Sequence, residues 1–437
     1  IVGAHPLGHH LGVGGRERAG TTDQDSQPHH GGKPCERALF HRGSPVGIRR
    51  QIYHVTSPSR RRAGYLSRVP SRFILLVVLV AGCRTEPGPS PEWQDGPGFR
   101  WQPLAPEGAG PGFTQLGASA TGIDFANFLS DSAALANQVL AQGGGVALAD
   151  VDGDGRTDIY FAKTEGKSAL YRNLGDWRFE NIAEAAGVAL GDRAPTGAAF
   201  ADLDGDGDPD LLVNALGGPN ALFRNDGAGH FTNDSSYPGG ASRAGTTTST
   251  LADIDGDGDL DLYQANDKAY NAKDRFTPQE IAFDQAVRRT GERGFEVVER
   301  LRKDYRVEVR DDLSSVVLLQ RADPDSLYLN DGVGQFTAVG IGGSDRFVDE
   351  RGRPFAEAPD NFTLVARFYD IDSDGDPDLY VANDFEDPDQ LWLNDGRGYF
   401  RLAPKLSQRT TSNAAMAIDM GDINRDGRVD FIAVDML

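Results

Sequence analysis

Asp202-Leu-Asp-Gly-Asp-Gly-Asp-Pro-Asp210 is the stretch whose reading decides the fold. Carboxylates at positions 1, 3, 5 and 9 of such a loop can converge on one point if the backbone turns sharply at position 6, where glycine is needed, and position 7 adds its carbonyl. Four more stretches repeat the pattern: Asp150-Val-Asp-Gly-Asp-Gly-Arg-Thr-Asp158, Asp253-Ile-Asp-Gly-Asp-Gly-Asp-Leu-Asp261, Asp370-Ile-Asp-Ser-Asp-Gly-Asp-Pro-Asp378 and Asp422-Ile-Asn-Arg-Asp-Gly-Arg-Val-Asp430. All five have the glycine, as Gly155, Gly207, Gly258, Gly375 and Gly427. An oxygen-only, carboxylate-rich, flexible cage suits Ca2+ better than Mg2+, which demands stricter octahedral geometry and keeps its water.

The ligand set follows position by position. Loop 1 offers Asp150, Asp152, Asp154, Asp158 and the carbonyl of Arg156; loop 2 offers Asp202, Asp204, Asp206, Asp210 and the carbonyl of Asp208. Loop 3 offers Asp253, Asp255, Asp257, Asp261 and the carbonyl of Asp259; loop 4 offers Asp370, Asp372, Asp374, Asp378 and the carbonyl of Asp376. Loop 5 offers Asp422, Asn424, Asp426, Asp430 and the carbonyl of Arg428, making up to five calcium sites. Without a cation, four carboxylates within a few ångströms repel one another, which argues against a merely solvated turn. An EF-hand needs a bidentate Glu at position 12, and that position holds Phe161, Val213, Gln264, Val381 and Ala433.

The loops begin 52, 51, 117 and 52 residues apart, a period near 52. A second element keeps phase with them: Leu170-Tyr-Arg-Asn173, Leu222-Phe-Arg-Asn225, Leu327-Tyr-Leu-Asn330 and Leu391-Trp-Leu-Asn394, each leading through a Gly-containing turn to Phe179, Phe231, Phe336 or Phe400. A short apolar strand enters each acidic loop, another leaves it, and a hairpin supplies two more. Four strands per repeat is the spacing of a β-propeller blade, so the fold class is all-β.

The 117-residue interval is one unit with an insertion at about 267–325, since its Leu327 comes 74 residues after Asp253 where other units take about 20. Within it, Thr277-Pro-Gln-Glu280 reads as a capping box with Pro at the first helical position, ahead of Ile281, Ala282, Phe283, Ala286 and Val287 on one helical face. Phe295, Val298 and Leu301 continue a second helical stretch, predicting a helical hairpin over 277–305 on the third blade. Its basic residues Arg288, Arg289, Arg293, Arg300, Arg302 and Lys303 make it the candidate contact surface for an anionic glycan or protein.

The composition changes near residue 83. Residues 1–83 hold 12 Arg and Lys and four acids, a charge of +8; subtraction from the chain's 44 basic and 65 acidic residues leaves 32 and 61, or −29, for the remainder. That balance makes nucleic acid an unsuitable partner and cations a natural one. Arg72 precedes the apolar run Phe73–Val80 and then Ala81-Gly82-Cys83, which reads as a bacterial lipoprotein signal over 68–83 with Cys83 as the acylated residue. Eight apolar residues make a helix of only about 12 Å, too short to span a bilayer. Residues 1–67 are expected to be a spurious or disordered leader, with initiation at Val69 or Leu66, and residues 84–112 a flexible linker rich in Pro and Gly. The lipid anchor would be the one membrane contact and would place the protein in the cell envelope, outside the cytoplasm.

The repeats resemble the FG-GAP/VCBS units of integrin-α-like propellers. Phe179-Glu-Asn-Ile-Ala-Glu-Ala-Ala-Gly-Val188 and Met420-Gly-Asp-Ile-Asn-Arg-Asp-Gly make the sequence similar to bacterial relatives of cartilage acidic protein over about 113–437. The resemblance implies Ca2+ in the acidic loops of a seven-bladed propeller, often followed by an ASPIC/UnbV domain. Five loop-bearing blades are visible here, and the sequence stops within a strand at Phe431-Ile-Ala-Val-Asp-Met-Leu437. The reading preferred over a five-bladed ring is a propeller lacking about two further blades. The segment from Phe113-Thr-Gln-Leu to Gly122-Ile123 resembles the last strand and closing turn of a blade.

Beyond residue 83 there is one histidine, His230, and no cysteine, so serine–histidine triads, thiol nucleophiles and histidine-ligated zinc are unsupported. No pair of carboxylates outside the loops stands out for acid–base work. The expectation is a non-catalytic binding or adhesion scaffold for a protein or glycan; the alternative is a calcium-dependent polysaccharide lyase or glycoside hydrolase.

Overall fold

The computed structural model describes residues 94–96, 99–101 and 113–436 apart from 192, 292–293, 311–314, 385–386, 406, 409–410 and 413. The leader, the signal segment and Cys83 lie outside the described residues. The chain divides into two compact units, 1–107 and 108–437. In the first, Gln94–Gly96 pairs antiparallel with Phe99–Trp101. The other residues of the expected linker 84–112 lie outside the described residues.

The second unit is all-β, with short helices such as Asp131–Ala136 before its first sheet. Sheet I runs as an antiparallel meander through Val146–Ala149, Asp158–Phe161, Ala169–Gly175 and Arg178–Asn181. Sheet II repeats it with Pro195–Ala201, Asp210–Ala215, Ala221–Asn225 and Phe231–Asn233. Sheet III uses Thr246–Ala252, Asp261–Asn266, Ser326–Leu329 and Thr337–Val339. Sheet IV uses Thr363–Tyr369, Asp378–Asn383, Gln390–Asn394 and Phe400–Leu402, with Phe347–Val348 added parallel to its last strand. Ala415–Gly421 and Asp430–Asp435 form the two-stranded sheet V. Every acidic loop joins the first and second strands of its sheet.

Apolar residues alternate to both faces of these strands, and sheets II, III and IV bury both sides against their neighbours, whereas Val146 and Leu148 of sheet I and Phe431, Ile432 and Val434 of sheet V are exposed. Leu211, Val213 and Phe223 of sheet II pack with Tyr160 and Leu170 of sheet I, whereas Leu212 and Leu222 pack with Leu262 and Tyr328 of sheet III. Tyr263 and Leu327 of sheet III meet Leu379 and Trp392 of sheet IV; Tyr380 of sheet IV meets Ile418 of sheet V. Thr247 and Thr248 on the first strand of sheet III donate to the carbonyls of Thr363 and Leu364 on the first strand of sheet IV, both at 2.9 Å, so first strands lie side by side. The arrangement is propeller-like.

The insertion is not the helical hairpin that the sequence predicts. The capping box forms, with the Thr277 amide 2.9 Å from Glu280 Oε2 and the Glu280 amide 3.4 Å from Thr277 Oγ1, but it starts only a turn and the four-residue helix Phe283–Ala286. Val287–Arg289 then pairs with Phe295–Val297, and Tyr305–Arg310 with Ser315–Gln320. Gly291, at φ 111°, reverses the chain at the first hairpin. Alternating Val307, Val309, Val316 and Leu318 favour strands at the second. Ala272, Ala286, Val287, Val297, Leu301 and Tyr305 give the insertion its own small core.

No strand forms at Phe113–Leu116 either; the helix Ala118–Thr121 follows, and Gly122 takes φ 80°. A Cβ at Gly122 would collide with the Phe179 carbonyl, and one at Gly187 would come 3.1 Å from the Phe231 carbonyl. The closing turn before sheet I therefore docks on its last strand as the turn after sheet I docks on that of sheet II.

Candidate metal centre

Position 1 organises each loop. Asp150 accepts the amides of Asp154 and Gly155 at 3.1 and 2.7 Å, and Asp202 accepts those of Gly205 and Gly207 at 2.8 and 3.0 Å. Asp253, Asp370 and Asp422 do the same, reaching the position-6 amides of Gly258, Gly375 and Gly427 at 3.1, 3.2 and 2.9 Å. Those glycines have φ between 80° and 100°, the left-handed turn that the sequence requires. Position 5 closes a smaller turn: Asp154, Asp206, Asp257, Asp374 and Asp426 accept the amide of position 7 at 2.9 to 3.1 Å.

Position 9 ties the loop to its sheet. Asp158, Asp210, Asp261 and Asp378 are buried, and each accepts backbone amides with both oxygens, one from loop position 2 and one from the Asn of the Leu-x-x-Asn element; Asp378 also takes that of Asp372 at 3.3 Å. For Asp158 these are Val151 at 3.0 Å and Asn173 at 2.7 Å; for Asp261 they are Ile254 at 3.2 Å and Asn330 at 2.8 Å. Burial raises all four carboxyls, Asp261 to about 6. Asp204, Asp255 and Asp372 at position 3 are also raised, first by burial and then by neighbouring carboxylates.

Carboxylate oxygens converge within 4.8 Å of one another in four groups among the described residues: Asp150, Asp152 and Asp158; Asp202, Asp204 and Asp206; Asp253, Asp255 and Asp261; Asp370, Asp372 and Asp374. One oxygen each of Asp152, Asp204 and Asp255 is buried without any hydrogen-bond partner. A buried carboxylate oxygen left unpaired is costly, so a hard cation with oxygen ligands fits these residues. Position 7 takes no part through its side chain. Asp208, Asp259 and Asp376 lie against Gly227, Gly332 and Gly396 of the hairpin turns. Arg156, at the same position in loop 1, pairs with Asp154 and donates to the Asn173 carbonyl at 2.8 Å. Loop 5 keeps the turn, but Asn424 is engaged with Asp426 through Nδ2 at 3.2 Å.

The sequence did not disclose what the phased Asn residues do. Asn225 Nδ2 donates to the Val151 carbonyl at 2.9 Å, Asn330 to Leu203 at 2.9 Å and Asn394 to Ile254 at 2.8 Å, each binding one sheet to the acidic loop of the sheet before it. Their place at the end of the Leu-x-x-Asn element that follows each of loops 1 to 4 was the only signal. Arg224, which reaches the second loop from the third strand, carried none.

A family model described as an FG-GAP-like repeat matches residues 150–213, 213–263 and 370–433. The chain carries FG-GAP-like repeats. Two of the matched segments begin on position 1 of an acidic loop, at Asp150 and Asp370. No curated protein matches the chain significantly. Among solved structures, an Agrocybe aegerita lectin specific for non-reducing terminal N-acetylglucosamine is 17% identical, with 65% of this chain and 73% of that one covered and a TM-score of 0.28. The Xanthomonas citri GH43_1 enzyme complexed with xylose is 14% identical over 62% of this chain and 79% of its own, at a TM-score of 0.30. The Vibrio cholerae biofilm matrix protein Bap1 is 14% identical over 64% and 41%, at 0.28. No helix among the described residues is long and apolar enough to cross a membrane.

Proposed function

We propose that this chain is a calcium-stabilised binding or adhesion scaffold, whose sheets are blades of a propeller displayed outside the cytoplasm from a lipid anchor at Cys83. The observation that supports it most is the double commitment of the loop carboxylates. Asp150 and Asp158 each hold two backbone amides while their remaining lone pairs crowd Asp152, and Asp253 and Asp261 hold amides and crowd Asp255 in the same way in loop 3. Carboxylates fixed in this way serve as ligands and struts, and a bound Ca2+ would supply the counter-charge that lets them sit together. The anchor and the envelope location rest on the sequence around Cys83, and the partner is a protein or a glycan.

The test is a panel of neutral and acidic polysaccharides presented to the full chain with calcium and with chelator, scored for both retention and cleavage. Retention without new sugar ends, lost on chelation, is the expected result. Calcium-dependent release of unsaturated or reducing ends would replace this reading with a lyase or hydrolase.

A further inference from the structure

Loops 2 and 3 are the same site by sequence, since Asp202, Asp204, Asp206, Asp208 and Asp210 recur as Asp253, Asp255, Asp257, Asp259 and Asp261, with glycines at the same two positions. What differs is a residue on the third strand: Arg224 in sheet II stands where sheet III has Leu329. Arg224 is only 18% exposed, and its Nη1 lies 2.7 Å from Asp210 Oδ2 and 3.9 Å from Asp204 Oδ2. It is held there from two other sides, by Asp234 Oδ2 at 3.2 Å and by the carbonyl of Gly334 in the hairpin turn of sheet III. A side chain at Gly334 would collide with the guanidinium.

Among the described residues, neither neighbouring loop has a mostly buried guanidinium ion-paired with two of its carboxylates. Arg172, the equivalent residue of sheet I, turns to Glu180 at 3.0 Å. Arg156 does reach loop 1, but it is 44% exposed, so solvent screens its charge. Over loop 3, the charge of Arg346 acts on Asp255, but Arg346 makes no ion pair with a loop carboxylate among the described residues and gives its hydrogen bonds to the carbonyls of Arg397 and Gly398, both at 3.2 Å.

We propose that Arg224 is a built-in counter-cation for the second loop, which makes that loop a weaker calcium site than loop 3 and lets sheet II keep its fold when calcium is scarce. This rests on the reading of the loops as calcium sites. A divalent ion held by the converging oxygens of Asp202, Asp204 and Asp206 shares Asp204 with a fixed guanidinium 3.9 Å away, which also occupies Asp210 at 2.7 Å. At an effective dielectric of about 20, repulsion at such range outweighs a factor of ten in binding. The pinned Arg224 cannot retreat without giving up Asp234 and the Gly334 carbonyl.

The experiment is calorimetric calcium titration of the full chain and its R224L, R224K and R224L/D202N variants, with melting followed in calcium and in chelator. R224L is expected to tighten one site tenfold or more and to widen the gap between the two melting temperatures. Adding D202N should abolish the tightened site, and R224K, which keeps the charge, should stay near the wild type. If the wild type binds calcium and R224L binds no tighter, or R224K tightens as much as R224L, the role given to Arg224 is wrong while the calcium sites stand. If the wild type binds no calcium, both readings fall. Should R224L not fold in chelator, R224Q carries the same comparison in calcium.

Discussion

Asn225 and Val151 belong to different sheets, 74 residues apart, and Asn225 Nδ2 donates to the Val151 carbonyl across 2.9 Å. The same Asn gives its backbone amide to Asp210 at 2.9 Å and shares Nδ2 with Pro209 at 3.2 Å. One side chain thus fastens its own acidic loop and the one before it, so each loop's order depends on the next sheet.

Replacing Asn225 with alanine strands the buried Val151 carbonyl and the half-buried one of Pro209. The expected loss is about 2–4 kcal/mol, from two hydrogen bonds and the unmet groups they leave. Asn173→Ala should cost less, because Asn173 Nδ2 bonds only the Thr157 carbonyl of its own sheet, near the surface. Urea unfolding of the two variants checks the ranking.

Calcium should raise the unfolding temperature, since it binds the folded loops and not the open chain. Asp204→Ala removes a position-3 ligand and should lower that gain, while Asp284→Ala on the exposed start of the helix Phe283–Ala286 should leave it unchanged. Melting at rising calcium concentration distinguishes them. Equal shifts in both variants would refute the ligand role.

Ser373 sits at position 4 of loop 4 with φ 68°, where loops 1 to 3 have Gly153, Gly205 and Gly256 at 69° to 76°. A left-handed conformation disfavours any residue with a Cβ by roughly 1–2 kcal/mol, partly offset by glycine's greater freedom when unfolded. Ser373→Gly should therefore stabilise the protein by about 0.5–1 kcal/mol in denaturant unfolding.

Asp325 gives the protein a pH dependence separate from the loops. Burial raises its carboxyl to about 7, against the pull of hydrogen bonds from the Tyr263 hydroxyl at 2.7 Å, the Asn266 amide at 2.6 Å and the Thr363 hydroxyl at 2.8 Å. A raised carboxyl favours the folded state while protonated, so its contribution is complete below about pH 4 and is lost as pH climbs through about 7. At saturating calcium the wild type should lose a few kcal/mol relative to Asp325→Asn over that window, roughly 1.4 kcal/mol per unit. Parallel stability curves for the two proteins would exclude the effect.

The acidic loops were legible because their chemistry is local. Asp202 meets Gly207 within five residues, and glycine at position 6 is the requirement of a turn that sequence alone can state. The strands were legible for a similar reason, since alternation and a Leu-x-x-Asn element recur after each of the first four acidic loops. The insertion was misread because Thr277-Pro-Gln-Glu280 is a sound helix start, yet the strand pairs Val287–Arg289 with Phe295–Val297 and Tyr305–Arg310 with Ser315–Gln320 build its core beyond one turn. Within nine residues, then, turn geometry and charge determined where a cation fits. Which loops are alike was decided by contacts between sheets: Asn394 reaches Ile254 over 140 residues, and Arg224 reaches Gly334 over 110. No local pattern encodes such distances, because they exist only after the chain has stacked sheet on sheet.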